Sequence, residues 1–129
     1  MLTASGFAYL SGDSLVFNSG AERERALSIL VQGNARIPAG AIYGQGVRCA
    51  GGRLTRLYVK SAASGHVTAP DFGSGDPSVS VRSEARGDTI HAGESRWYFV
   101  YYRDPIVLGG CPASSTFNAT QTGEVTWSP

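Results

Sequence analysis

The chain has 129 residues and a formal net charge of +1, with 11 Lys plus Arg residues against 10 Asp plus Glu residues. Charged residues make up 16% of it and hydrophobic residues 42%, and it contains 17 glycines. This balance disfavours nucleic acid as a partner and favours short strands joined by turns over a helical bundle. No stretch approaches the roughly 20 apolar residues that a membrane span needs. The length predicts a single domain, residues 1–129.

The first 32 residues predict a hairpin followed by a further strand. Residues 6–20, "GFAYLSGDSLVFNSG", contain a short strand, a Ser-Gly-Asp turn and a second strand from Leu15 to Phe17. The segment from Ala26 to Gln32 is rich in β-forming residues and is bracketed by glycines, which favours a strand. A helix competes there, because the stretch from Glu22 to Leu30 also contains helix-forming residues.

The middle of the chain predicts strands separated by long loops. Five glycines between residues 40 and 52 indicate a loop before a strand at residues 54–60, whose alternation of polar and apolar residues is uneven. Residues 64–77 are rich in Gly, Pro and Asp, which indicates another loop. Residues 78–84, "SVSVRSE", alternate strictly and predict a half-buried strand, with Val79 and Val81 facing inward.

Residues 95–104, "SRWYFVYYRD", predict a strand with aromatic side chains on both faces. One face would fill the core of a two-layer β protein, so the other requires a partner: another segment of the chain, a neighbouring subunit or a sugar. Packing by the chain itself is one interpretation of this strand. The candidate interface or ligand face consists of Trp97, Tyr98, Tyr101 and Tyr102.

The last residues predict a loop and two short strands. The loop "PIVLGGCPASS" precedes two strands about a turn near Thr122, with Val125 and Trp127 on one face. The whole pattern of seven to nine short strands with frequent turns predicts an all-β fold, an antiparallel β-sandwich of the jelly-roll or Ig-like kind.

The two cysteines, Cys49 and Cys111, have two interpretations. A disulfide between them would close a long loop, stabilise the fold by about 4 kcal/mol and favour an oxidising, extracellular setting. Two buried free thiols are the alternative. A metal site is disfavoured because only His66 and His91 could assist the pair, and their spacings match no zinc motif. We predict no cofactor.

Candidate catalytic groups are few. His66 and His91 lie in loops beside glycines, with serines and aspartates as conceivable partners, and no Gly-x-Ser-x-Gly nucleophile turn precedes a helix. The carboxylates that could act in pairs on a glycosidic bond are Asp71, Asp76, Asp88, Glu94 and Asp104. Spacing alone brings none of these groups together, so we predict no catalytic residue.

Three short motifs have structural interpretations beside functional ones. Asp71 and Asp76 could offer oxygen ligands to calcium, but turn formation explains both aspartates without an ion. The tripeptide Arg-Gly-Asp at residues 86–88 occurs in adhesive proteins and is equally well explained as a turn. Asn118 begins an N-glycosylation triplet.

Four segments together carry a resemblance to other proteins. These are "AIYGQGVRCAGGRLTRLYVKSAASG", "GDPSVSVRSEARGD", "AGESRWYFVYYRD" and "CPASSTFNATQTGEVTWSP". From about Phe7 to its last residue the chain resembles the C-terminal region of large secreted or cell-surface proteins of environmental bacteria. The resemblance implies an exported β-rich module in which Cys49 and Cys111 are bonded, and it assigns no activity.

These observations lead to one expected function and one alternative. We expect a non-catalytic extracellular or cell-surface module that assembles with itself or with a larger surface protein, as a filament or layer. A terminal strand such as residues 3–10 would complete a neighbour's sheet, and the aromatic face of residues 95–104 would supply further contact. The alternative is a carbohydrate-binding module that binds polysaccharide through that aromatic face.

Overall fold

The computed structural model describes residues 2–20, 27–43, 46–103, 117–120 and 122–129, which are mostly β-strand. In chain order the elements are β1 (Leu2–Ser5), β2 (Val16–Ser19), β3 (Leu27–Tyr43), β4 (Gly46–Ser61), β5 (Val67–Ala69), a 3-10 helix (Phe72–Ser74), α1 (Val79–Ala85), β6 (Ser95–Arg103), β7 (Phe117–Ala119) and β8 (Gly123–Thr126). No helix in these ranges is long and apolar enough to cross a membrane.

The strands form two antiparallel sheets. The smaller sheet has the order β1-β2-β5, and the larger has the order β4-β3-β6-β7, with β8 also paired to β6. The prediction of a β-rich antiparallel fold is therefore confirmed. The strands are not all short, however, because β3 has 17 residues and β4 has 16.

The main core lies between the two sheets. The rings of Phe17 on β2 and Tyr98 on β6 pack with their centroids 4.6 Å apart. Leu30 and Leu57 from the larger sheet join them, and Trp127 closes the cluster with no exposed surface. Burial of these large apolar side chains is the main stabilising contribution that the described residues make to the fold.

The N-terminal hairpin differs in part from its prediction. β2 lies close to the predicted second strand, and β1 pairs with it from Leu2 opposite Ser19 to Ser5 opposite Val16. The first strand therefore precedes the predicted one. Residues 6–15 connect the two strands, and Leu10 there donates a backbone hydrogen bond to the carbonyl of Ser128.

The uneven alternation in β4 has a structural cause. Leu30 pairs with Tyr58, whereas the next residue, Val31, pairs with Arg56, so Leu57 is an extra residue in the β4 strand. This β-bulge lets two consecutive side chains, Leu57 and Tyr58, both lie in the core. The glycines at 46, 51 and 52 belong to β4, so the loop predicted there is wrong.

The predicted strand at residues 78–84 is wrong, because Val79–Ala85 form α1. Val79 and Ser83, four residues apart, are fully buried on one side of the helix, whereas Val81 is 56% exposed. A helix brings positions i and i+4 to the same face, and a strand would instead have buried Val79 and Val81 together. The alternation of Ser and Val at residues 78–81 is therefore a coincidence of composition and does not mark one face of a sheet.

A distant residue satisfies the start of α1, and a local glycine marks its end. The Oδ2 atom of Asp13, far away in sequence, accepts a hydrogen bond of 2.7 Å from the backbone N–H of Ser80 in the first turn. Such an acceptor satisfies one of the N–H groups that a helix start leaves without a partner. At the other end Gly87 adopts φ +91° and donates its N–H to the carbonyl of Glu84. The contact from Asp13 is not visible in the local sequence, whereas a glycine just after the last turn is a common signal of a helix end.

Candidate functional site

The aromatic strand β6 lies within the residues that were predicted to form it. In the structure it lies at the centre of the larger sheet. It pairs with β3 on one side and with β7 and β8 on the other. Its alternating side chains therefore face the main core on one side and the outer surface of the sheet on the other.

Tyr98 belongs to the main core and has no exposed surface. Its hydroxyl donates a hydrogen bond of 2.8 Å to Oε1 of Gln32 and accepts one of 3.2 Å from the indole Nε1 of Trp127. Burial raises the pKa of Tyr98 above its ordinary value, so the phenol stays neutral. Its assignment to an interface or ligand face is therefore wrong, because no partner reaches a side chain that is wholly enclosed.

The opposite face of β6 is largely covered within the chain. Phe99 is fully buried in a second cluster with Val31 and Ala50, and Trp97 and Tyr101 pack against this cluster with part of their surface exposed. Tyr102 packs against a third small cluster at the edge of the core and is also partly exposed. The roles predicted for Trp97, Tyr101 and Tyr102 at a partner or sugar surface stay predictions.

A buried polar network links three parts of the fold. The guanidinium of Arg96 binds Asp88 through two hydrogen bonds, from Nε to Oδ2 at 3.0 Å and from Nη2 to Oδ1 at 2.9 Å. Gln32 on β3 donates from Nε2 to Asp88 Oδ2 and to Ser83 Oγ, each at 2.8 Å. The hydrogen bond with Asp88 raises the pKa of Arg96, so the guanidinium stays charged. The network fixes α1 and the following loop to the larger sheet.

This network decides the interpretation of the Arg-Gly-Asp tripeptide. Asp88 is buried and its two carboxylate oxygens bind Arg96 and Gln32. The guanidinium of Arg53 also donates to the carbonyls of Arg86 and Gly87, at 3.1 and 2.9 Å. An adhesive receptor would need an accessible aspartate, so the tripeptide here stabilises the turn after α1.

The two aspartates of the 71–76 loop also stabilise the backbone of that loop through side-chain hydrogen bonds. Asp71 Oδ1 caps the 3-10 helix by accepting from the N–H of Gly73 at 3.1 Å. Asp76 Oδ2 accepts from the N–H of Asp71 at 2.8 Å and forms an ion pair with Lys60. Among the residues that the structure describes, no group of three or more His, Cys, Asp or Glu side chains is arranged to hold a metal ion.

The two histidines lie apart on the surface. His91 Nδ1 is 2.8 Å from Glu94 Oε1, and both side chains are well exposed. The backbone N–H and the ring of His91 hydrogen-bond to Glu94 and hold the pKa of that carboxyl below its ordinary value. His66 lies between two open clefts of about 210 and 330 Å³. No described contact joins either histidine to a serine hydroxyl.

Several predicted residues lie outside the described residues or side chains. Cys111 and Asp104 fall in the undescribed segment, and Cys49 lies in β4, where its side chain is not described. The disulfide between the two cysteines therefore stays a prediction. Asn118 lies in β7.

The edge of the smaller sheet is a surface feature that the sequence analysis placed only approximately. Among the described strands, β1 lies at one edge of the smaller sheet and β5 at the other, and the exposed residues of β1, Thr3, Ala4 and Ser5, are all uncharged. Ala4 pairs with Phe17, so the two side chains lie on the same face, yet Phe17 is buried and Ala4 is exposed. The core-facing side of β1 is thus left partly open.

A groove of about 220 Å³ occupies this opening and separates β1 from β8. Its lining residues come from both sheets: Leu2, Thr3, Ala4 and Phe17 on one side, and Thr122, Gly123, Glu124 and Val125 on the other.

Two exposed aromatic rings follow β1. Phe7 is 62% exposed and Tyr9 is 46% exposed, and their rings are parallel within 1° with centroids 5.5 Å apart. The i, i+2 spacing of two aromatics in a stretch otherwise poor in large side chains is the signal that could have identified this pair. The segment is fixed in place, because Ser128 donates to the carbonyl of Ala8 at 3.0 Å.

Comparison with protein-family models, with curated proteins and with solved structures found no match to this chain.

Proposed function

We propose that the protein is a non-catalytic structural module, a two-layer antiparallel β-sandwich that assembles at the cell surface or outside the cell by strand addition. The observation that carries the proposal is the uncharged, partly uncovered edge at β1. A sheet edge presents backbone N–H and C=O groups that another strand can bind, and proteins that remain monomeric usually obstruct such edges with charge, proline or a bulge. Within the described residues, the four residues of β1 contain no charge and no proline, and their pairing with β2 has no bulge.

The edge at β4 provides the contrast within the same molecule. Arg53 on β4 holds the turn after α1 against this strand, and Lys60 forms an ion pair with Asp76 beside it. Arg56 is exposed between them. Charged side chains and a covering turn therefore protect β4. The other edge of the smaller sheet, β5, is uncharged but has only three residues and is followed directly by Pro70, so β1 is the edge better suited to a partner.

The polar side chains support a structural role over a catalytic one. Asp88 and Arg96 bind each other in the interior, Asp71 caps a 3-10 helix, and Asp76 pairs with Lys60. Each of these carboxylates has a defined partner that stabilises the fold. His66 and Asp71 line the same open cleft of about 330 Å³, but no described hydrogen bond joins them, whereas a catalytic pair would need such a contact.

The sequence resemblance provides the proposed location and partners. An exported module with Cys49 bonded to Cys111 would tolerate the oxidising conditions outside the cell, and its partner would be a second copy or a larger surface protein. Because the formal net charge is +1, long-range repulsion between copies would be weak.

The test is particle size as a function of concentration, measured by light scattering behind a sizing column under non-reducing conditions. Negative-stain electron microscopy of the same samples would reveal fibres or layers. We expect mass above the 13.6 kDa monomer as concentration rises. Ala4→Lys should abolish the increase, whereas Val81→Lys, an equal change of charge on the exposed side of α1, should not. A wild-type mass that stays at the monomer value at every concentration would contradict the proposal.

Carbohydrate binding is a second candidate, favoured by the exposed pair of Phe7 and Tyr9. Sugar rings stack on aromatic faces, and a rigid pair of parallel rings is suited to such contact. The test is retention on immobilised polysaccharides in affinity electrophoresis, comparing wild type with Phe7→Ala and with the control Phe72→Ala. Loss of retention in Phe7→Ala alone would support this function, and equal migration with and without polysaccharide would exclude it for the glycans used.

A further inference from the structure

We infer that the partner of β1 is the β1 strand of a second copy, paired antiparallel about a two-fold axis. This inference rests on the proposed function and specifies its contact. The smaller sheets of two copies would then join into one continuous sheet of six strands, β5-β2-β1 followed by β1-β2-β5 of the second copy.

The faces of β1 match what the groove requires. Leu2 and Ala4 lie on the face that Phe17 shares, and Thr3 and Ser5 lie on the other face. A strand added along β1 must therefore present small or aliphatic side chains inward and polar ones outward. The β1 strand of a second copy has this alternation.

The groove beside β8 gives these inward side chains a place to pack. Leu2, Phe17 and Val125 form its apolar lining. An added β1 strand would direct its own leucine and alanine into this space, which would bury the exposed Ala4 of the first copy. The two-fold axis makes the contact reciprocal, so both grooves would be filled.

Charge favours β1 over β4 and β8 for a two-fold contact. Residues near the axis meet their own copies, and like charges placed opposite each other destabilise a strand pair. β1 contains no charged residue, whereas exposed Arg53 and Arg56 on β4 and exposed Glu124 on β8 would meet identical charges. The described edge strands β5 and β7 are also uncharged but have three residues each, so the length of β1 and the groove beside it complete the argument for β1 as the self-complementary edge.

The strength of the contact follows from its size. Four residues in each β1 strand bury a small area, so we expect a reversible dimer that forms in the micromolar to millimolar range. A two-fold pair closes on itself, so filaments or layers need a second contact elsewhere on the surface.

Complementary charges at Thr3 test the two-fold pairing directly. Thr3 is exposed on the outward face of β1, so replacing it should leave the fold intact, which thermal unfolding by circular dichroism would check. Thr3→Lys alone and Thr3→Asp alone should each weaken self-association by about tenfold or more, because like charges meet near the axis. An equimolar mixture of the two variants should associate again. The matched controls are Val81→Lys and Val81→Asp.

Hydrogen exchange of the wild-type protein gives a second readout. Peptides that contain residues 2–5 should exchange more slowly at high concentration, whereas peptides from β4 should exchange at an unchanged rate. If mass rises with concentration but the Thr3 mixture fails to restore association, or β1 gains no protection, the two-fold β1 pairing is wrong while assembly stands. If the particle mass does not rise with concentration, the proposed function is contradicted, and this inference is contradicted with it.

Discussion

The ion pair between Asp88 and Arg96 is the interaction whose loss we expect to cost the most stability. The two side chains are only 10% and 7% exposed, and they share two hydrogen bonds of 2.9 and 3.0 Å. Asp88→Asn keeps the size and shape of the side chain but removes its charge. The variant therefore removes the buried counterion of the guanidinium and leaves only the more exposed carboxylate of Glu94, 3.8 Å away, to offset its charge.

Removing one partner from a buried ion pair typically costs about 3–5 kcal/mol. Gln32 also donates to Asp88 Oδ2, and an asparagine carbonyl can still accept that bond, so we expect a loss near the lower limit, about 3 kcal/mol. Domains of this size are stable by about 5–15 kcal/mol, so the loss would be a large share of the total.

Urea unfolding followed by tryptophan fluorescence measures this loss. With an m-value of about 2 kcal/mol/M, the midpoint should fall by about 1.5 M while m stays constant. Glu124→Gln on the exposed side of β8 is the charge-matched control and should change the free energy of unfolding by less than about 0.5 kcal/mol. The double variant Asp88→Asn with Arg96→Met should recover part of the loss, because it removes the unpaired charge. A loss below about 1 kcal/mol in Asp88→Asn would refute the reasoning, since it would mean that Arg96 reaches water or another acceptor.

Three further predictions concern backbone strain and pH. Gly6→Ala should destabilise the protein more than Gly75→Ala does. Both glycines have positive φ, but only at Gly6 would an added Cβ overlap a neighbouring atom, the carbonyl oxygen of Ser14. Equal urea midpoints for the two variants would contradict this. Burial raises the pKa of Tyr98 above its ordinary value of 10.0, so the unfolded chain ionises first and stability should fall as pH rises beyond that value. Tyrosinate absorbance should show fewer groups ionising in the folded protein than in urea, and full ionisation before unfolding would refute the prediction. Partial burial acts to raise the pKa of Asp76, but hydrogen bonds from a lysine ammonium and a backbone N–H hold it below 3.8. The contribution of Asp76 to the stability of the fold is therefore present above pH 3.8 and is lost as pH falls through the lower folded pKa. Asp76→Asn should accordingly lower the urea midpoint near neutral pH but not in strong acid.

Local sequence patterns predicted the elements whose burial pattern is visible in their own residues. β6 was placed correctly because aromatic and β-branched residues fill both faces, and the strand predicted from Ala26 to Gln32 overlaps the first residues of β3, which begins at Leu27. α1 was missed because Val79 and Val81 imitate a sheet face, while the contact that starts the helix comes from Asp13.

The functional surface was harder to predict, because it depends on contacts between distant residues. Nothing in the sequence pairs Asp88 with Arg96, so the tripeptide at residues 86–88 resembled a surface motif until its aspartate was found buried. The aromatic residues of β6 suggested a binding face, but exposure of an aromatic depends on what covers it. The exposed pair, Phe7 and Tyr9, lies in a segment predicted as a strand.

The contact between residues 8–10 and Ser128 has a consequence for how the chain is made. Trp127 fills the core, and backbone hydrogen bonds join Leu10 and Ala8 to Ser128, 118 or more residues away. During synthesis the first strands leave the ribosome long before Trp127 does, so the nascent chain cannot close its core until the last described residues emerge. Contacts of such long range are also slow to form. Until Trp127 emerges, Phe17 and its neighbours lack one of their core partners, and apolar surface exposed in this way makes a nascent chain prone to aggregation.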